Sequence, residues 1–124
     1  MALNIPAEKM KKYRATARQR QEQKLHNLAL RQQHAWEIAQ EVGRLLKEQF
    51  GVTKVVVFGS LLPTKQFHQR SDIDLAVWGL DEQVYYRAVA RLLDLDPTIS
   101  VDLVEAEFTS PALLANIEQE GVVL

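Results

Sequence analysis

Two aspartates separated by one residue, Asp72 and Asp74, are the side chains of this sequence best placed to do chemistry. They lie at the start of an apolar segment, Ile73–Trp78, that has the composition of a buried strand. Side chains at i and i+2 of a strand point to the same face, so the two carboxylates are expected to project together. Adjacent carboxylates repel each other unless a cation lies between them. Since Mg²⁺ binds one or two carboxylates together with substrate phosphates, the pair predicts a magnesium site at the rim of a sheet.

Two further features extend this prediction to phosphoryl transfer. Gly59-Ser60 directly follows the apolar run 54–58, and a glycine at such a turn lets backbone N–H groups approach a phosphate. Asp102 lies in a third apolar run, 99–104, where a lone carboxylate is costly to bury. If that run pairs with the strand 73–78, three carboxylates, two Mg²⁺ ions and a nucleoside triphosphate make a two-metal site. Asp72, Asp74 and Asp102 are thus the predicted catalytic and metal-binding residues.

The elements that must position these residues follow from hydrophobic periodicity. Residues 7–50 contain one glycine and no proline, and apolar residues recur at helical spacing from Leu25 through Leu28 and Ala29 to Phe50. Strands are predicted at 54–58, 73–78 and 99–104. Helices are predicted after Asp81 and after Ser110-Pro111, the second with Leu113, Leu114 and Ile117 on its buried side. The prediction is an α/β fold, a small mixed β-sheet packed by helices, with an N-terminal helical extension.

The charge is divided unevenly along the 124 residues. Residues 1–35 carry eight Lys or Arg against two Glu, whereas residues 36–124 carry seven against fourteen acids. We therefore predict a basic helical arm at 1–30 and a catalytic domain at 31–124. The arm is either a solvated helix face or a docking surface, and DNA contact stays open but unsupported, since no groove-reading motif is present. The absence of cysteine and of an apolar run near ~20 residues fits a cytoplasmic protein.

The motif Phe58-Gly59-Ser60, eleven residues, then Asp72-Ile73-Asp74, with a later strand aspartate in Asp102, resembles the polymerase-beta-type nucleotidyltransferase superfamily. It looks most like the minimal nucleotidyltransferases, the antitoxin halves of HEPN/MNT toxin–antitoxin pairs, over about residues 35–124. The resemblance implies a nucleotidyltransferase fold that uses ATP and Mg²⁺ to put AMP on a tyrosine of a partner HEPN toxin, silencing its RNase activity.

The sequence departs from that pattern beside the Gly-Ser turn. Many relatives carry an arginine directly after the serine and a glycine four residues after it, where this chain has Leu61 and Thr64. Lys65 or Arg70 is therefore expected to supply the positive charge, which makes the predicted nucleotide-binding residues Gly59, Ser60, Lys65 and Arg70.

Two alternatives remain open at this point. One is a binding antitoxin that occludes its toxin without catalysis. The other is a small-molecule nucleotidyltransferase whose second half is another chain. A protein acceptor is favoured, because the sequence offers no second domain to bind a small acceptor.

Overall fold

The structure is a computed structural model that describes residues 6–63 and 65–124. Thr64 and residues 1–5 of the predicted arm lie outside the described residues. The helices are α1 (Ala7–Phe50), α2 (Tyr85–Leu93) and α3 (Pro111–Glu120), and the strands are β1 (Lys54–Phe58), β2 (Ile73–Trp78), β3 (Val101–Glu105) and β4 (Val122–Val123). Within this described part, no helix is long and apolar enough to cross a membrane.

The four strands form one mixed sheet in the order β3-β2-β1-β4. β1 is antiparallel to both β2 and β4, whereas β2 and β3 are parallel. A parallel pair needs a crossover connection, and α2 provides it. The predicted α/β fold with a small mixed sheet and a long N-terminal helix is confirmed.

The sheet is covered on both faces. One face packs against the second half of α1, and the other packs against α3, where Ile117 is buried beside Val56 and Ala76. Leu113, predicted to be buried with Ile117, is instead 38% exposed. The core on the α1 side includes Ala39, Val42, Leu46, Val55, Val57, Ile73, Leu75 and Val77.

α1 is continuous from Ala7 to Phe50 but is buried only along its second half. Burial begins at Ala35, and Leu25, which opens the predicted apolar stripe, is 58% exposed. Leu28 is the first residue of α1 that packs against the core. The residues before it, 7–27, form a helical projection about 30 Å long, because each residue adds about 1.5 Å. The division predicted between residues 30 and 31 falls inside this helix and stays a prediction.

Candidate active site

Asp74 lies between two neighbours on the face of the sheet that α3 partly covers. It pairs with Phe58 of β1 on one side and with Asp102 of β3 on the other. Directly paired residues on adjacent strands point to the same face, so the carboxylates of Asp74 and Asp102 lie side by side. Asp74 is half-buried and Asp102 is exposed. The parallel pairing of β2 with β3 thus supplies the adjacency on which the prediction for Asp102 depended.

The turn after β1 brings Gly59 against Asp74. Gly59 has φ 77°, in the left-handed region that favours glycine. A Cβ at this position would overlap the Asp74 carboxylate and lie 3.2 Å from its Cγ. Ser60 follows in a single 3₁₀ turn, Gly59–Leu61, and is half-buried. The two motifs recognised separately in the sequence, Gly-Ser and Asp-x-Asp, are therefore in contact.

The electrostatics of the site are those of uncompensated negative charge. Burial raises the pKa of Asp74, and the charges of Asp102 and then Asp72 raise it further. The influence of Asp72 shows that this half-buried residue, just before β2, belongs to the same group of acids. The ion pairs of the described residues involve His34 and Lys65 rather than any of these three acids.

This donor set fits Mg²⁺ in type. Three carboxylates are hard oxygen ligands, and their mutual repulsion is what a divalent cation relieves. Within residues 6–63 and 65–124, however, no three acidic or histidine side chains converge closely enough to hold a metal ion by themselves. Because Mg²⁺ takes one or two carboxylates and completes its shell with phosphates and water, an open set of acids suits it. Asp72, Asp74 and Asp102 as metal ligands stay a prediction.

The residues expected to grip phosphate are more dispersed. Leu61, at the position where the resemblance led us to expect arginine, is fully buried in the core. The Lys65 ammonium lies 3.2 Å from the Glu120 carboxylate at the end of α3. Arg70 is exposed, and its backbone N–H donates to the His68 ring at 3.1 Å. In this structure neither cation is directed at the aspartates by a described contact, so their role in binding nucleotide also stays a prediction.

Sequence reasoning gave no role to two residues that support this site. Ser71, directly before Asp72, is 3% exposed and is the one buried polar residue of the described chain. Its Oγ accepts from the His68 N–H at 2.9 Å, and its carbonyl accepts from the Arg31 guanidinium at 3.2 Å. Arg31 entered the sequence prediction only as one charge of a basic segment. A contact across forty residues leaves no signal in local periodicity.

Comparison with known proteins bears on this geometry. A family model described as polymerase beta, nucleotidyltransferase matches residues 40–124. No curated protein matches the chain.

Several solved structures are similar to the chain. A chain from the crystal structure of a double Asp-to-Glu mutant of the toxin–antitoxin pair MntA-HpeT is 25% identical, with TM-score 0.54, over 68% of this chain and 70% of that chain. A chain from a toxin–antitoxin crystal structure with AMP-PNP is 29% identical, with TM-score 0.51, over 64% of this chain and 66% of that chain. A third structure is that of tri-AMPylated Shewanella oneidensis HEPN toxin in complex with MNT antitoxin. It contains a chain that is 24% identical, with TM-score 0.51, over 72% of this chain and 70% of that chain, and this likeness shows the fold alone.

Proposed function

The chain belongs to the polymerase beta nucleotidyltransferase family, and on that premise we propose that it is a Mg²⁺-dependent antitoxin that transfers AMP from ATP to a hydroxyl of a partner HEPN toxin. The proposed acceptor is a tyrosine, and its modification silences the toxin's RNase activity. The fold supports the antitoxin assignment, because the similar chains come from toxin–antitoxin structures.

The observation that carries the proposal is the position of Asp74 between Gly59 and Asp102. Because Gly59 has no side chain, the Asp74 carboxylate lies directly against the Gly-Ser turn, and Asp102 is the direct partner of Asp74 on the next strand. A phosphate that binds at the Gly59-Ser60 turn is thereby next to the carboxylates. That juxtaposition is what phosphoryl transfer requires, because catalysis of this kind depends mainly on positioning and electrostatic stabilisation.

Asp72, Asp74 and Asp102 would hold the metal in this proposal. Bound Mg²⁺ supplies activation of the acceptor hydroxyl and neutralisation of the leaving pyrophosphate. Asp102 is the most exposed of the three acids, which makes it the most accessible to an incoming hydroxyl. Its carboxylate accepts the hydroxyl proton as the acceptor oxygen bonds to the α-phosphorus of ATP and pyrophosphate departs. A toxin–antitoxin structure with AMP-PNP contains a chain similar to this one, which supports an adenine nucleotide as the donor.

One observation favours a second function, occlusion of the toxin without catalysis. The side chain after the Gly-Ser turn, Leu61, is buried, and Lys65 is engaged by Glu120. If these residues bind the phosphates too weakly for transfer, the chain would neutralise its partner by binding alone.

Mass spectrometry separates the two functions. The chain is incubated with ATP, Mg²⁺ and a HEPN-type partner, and the partner is then weighed. A gain of one AMP unit per event supports transfer, whereas an unmodified partner in a stable complex supports occlusion. The double variant Asp72→Asn, Asp74→Asn should abolish the gain and keep the complex. Asp94→Asn, an exposed aspartate at the end of α2, is the matched control and should leave the gain unchanged.

A further inference from the structure

Arg31 joins two loops that are far apart in the sequence. Its Nη1 donates to the carbonyl of Thr98 at 2.9 Å, and its Nη2 donates to the carbonyl of Ser71 at 3.2 Å. A planar guanidinium has its donors in a rigid fork, so one side chain fixes the distance between the two carbonyls. Charge-assisted hydrogen bonds of this kind are stronger than those between neutral groups.

Both loops lead directly into the strands that carry the acids. Ser71 precedes Asp72 and β2, and Thr98 lies three residues before β3. The two segments also meet directly, because the N–H of Ile73 donates to the carbonyl of Ser100 at 3.0 Å. Arg31 therefore ties together the two segments just before β2 and β3 begin to pair at Ile73 and Val101, one register position before Asp74 and Asp102.

α1 contributes a second contact to the same region. His34, one turn after Arg31, hydrogen-bonds to the carboxylate of Asp96 at 2.7 Å. The other oxygen of that carboxylate accepts from the backbone N–H groups of Thr98 at 2.7 Å and Ile99 at 3.1 Å. These hydrogen bonds restrain residues 96–99. The bond from Arg31 to Thr98 therefore restrains the whole loop that leads into β3.

We infer that Arg31 is a positioning residue for the three aspartates: it ties the start of β2 to the start of β3 and so holds Asp72 and Asp74 in place beside Asp102. It lies outside residues 40–124, the part of the chain that matches the family. This support therefore comes from the long N-terminal helix of this chain. The inference rests on the proposed function only where it concerns transfer, because the register of the acids is a property of the chain alone.

The test compares Arg31→Gln and Arg31→Lys with the wild-type chain. Arg18→Gln, an exposed arginine on the same helix, is the matched control. Three quantities are measured: hydrogen exchange of the Ile73 amide in the metal-free chain, the Kd for Mn²⁺, and kcat for AMP transfer to the partner. Melting temperatures confirm that each variant is folded under the assay conditions.

Arg31→Gln should speed hydrogen exchange of the Ile73 amide about tenfold, because the free energy of local opening falls by about the contribution of one hydrogen bond. It should also weaken Mn²⁺ binding and lower kcat by about 10- to 100-fold, as loss of groups that orient metal ligands does. Arg31→Lys keeps the charge but not the fork, so it should recover part of each loss, and Arg18→Gln should match wild type. If Arg31→Gln does not fold, Arg31→Lys carries the test.

The outcomes separate this inference from the proposed function. A folded Arg31→Gln variant with wild-type exchange and wild-type Mn²⁺ affinity overturns the positioning role, even if the wild-type chain transfers AMP. A wild-type chain that transfers no AMP overturns the proposed function, while slower wild-type exchange and tighter Mn²⁺ binding than in Arg31→Gln still support the positioning role.

Discussion

Replacing Gly59 by alanine tests the contact between the two motifs of the site. Gly59 has φ 77°, and a Cβ there would overlap the carboxylate of Asp74. Alanine therefore brings two separate costs, one from the backbone conformation and one from the collision. The Asp74 side chain can relieve the collision by rotating, and the rotation moves its carboxylate away from its place beside Asp102.

Gly51 allows the two costs to be separated. It ends α1 with φ 68°, and beyond its immediate chain neighbours no atom lies within 4 Å of the position that a Cβ would take. Gly51→Ala should therefore cost only the left-handed conformation, about 1–2 kcal/mol of the free energy of unfolding. Gly59→Ala should cost this amount plus about 1–3 kcal/mol for overpacking against Asp74, roughly 2–5 kcal/mol in total.

A double-mutant cycle measured by urea unfolding makes the test specific. In an Asp74→Ala background the carboxylate is gone and the nearest remaining atom at that residue, its Cβ, lies 3.4 Å away, an ordinary contact. Gly59→Ala should then cost no more than Gly51→Ala. If the two glycine variants cost the same in the wild-type background, or if removing Asp74 leaves the cost of Gly59→Ala unchanged, the carboxylate does not lie against Gly59 and the reasoning fails.

Three further predictions concern charge and packing. Asp74→Asn should raise the melting temperature of the metal-free chain at neutral pH, because ionisation of a carboxyl with a raised pKa costs stability; the gain should disappear in melts at acidic pH, where both side chains are neutral. Asp96 has the opposite effect, because hydrogen bonds from Thr98 and His34 lower its pKa in the folded chain. The ionised Asp96 therefore stabilises the fold above the ordinary carboxyl pKa of about 3.9, and this stabilisation is lost as the pH falls through the pKa that Asp96 has in the folded chain. Asp96→Asn should therefore flatten the acid limb of the stability profile measured by urea unfolding. Gly121→Ala should destabilise the chain by about 1–3 kcal/mol or more in the same assay, because its Cβ would overlap Val56.

The features of the site that could be predicted from the sequence are those governed by local rules. Strand alternation relates Asp72 to Asp74, and a glycine directly after a strand marks the turn. The place of Asp102 depended on which strands are neighbours, and local pattern does not specify this. The structure shows that β2 and β3 are neighbours and that Asp74 and Asp102 are direct partners in their register.

The errors of the sequence prediction have physical causes. The third strand was predicted from Ile99 but begins at Val101, because the N–H of Ile99 donates to the Asp96 side chain instead of a neighbouring strand. β4 was not predicted, since two residues are too few to show a period of two. Leu25 has the spacing of a buried residue, yet it is exposed, because this part of α1 extends beyond the sheet that the later residues of the helix, from Ala35, cover.

The positive charges of Arg31 and Lys65 are directed at groups other than the three aspartates. Arg31 donates to backbone carbonyls and Lys65 pairs with Glu120. Neither cation forms an ion pair with the three aspartates. The pKa of Asp74 is accordingly raised, by burial first and then by the charges of Asp102 and Asp72. A carboxylate group left in this state binds a divalent cation more strongly than one already paired with lysine or arginine, because no internal ion pair has to be broken first. The proposed function needs this property, since its metal must be held by acids that also remain open to the phosphates of ATP.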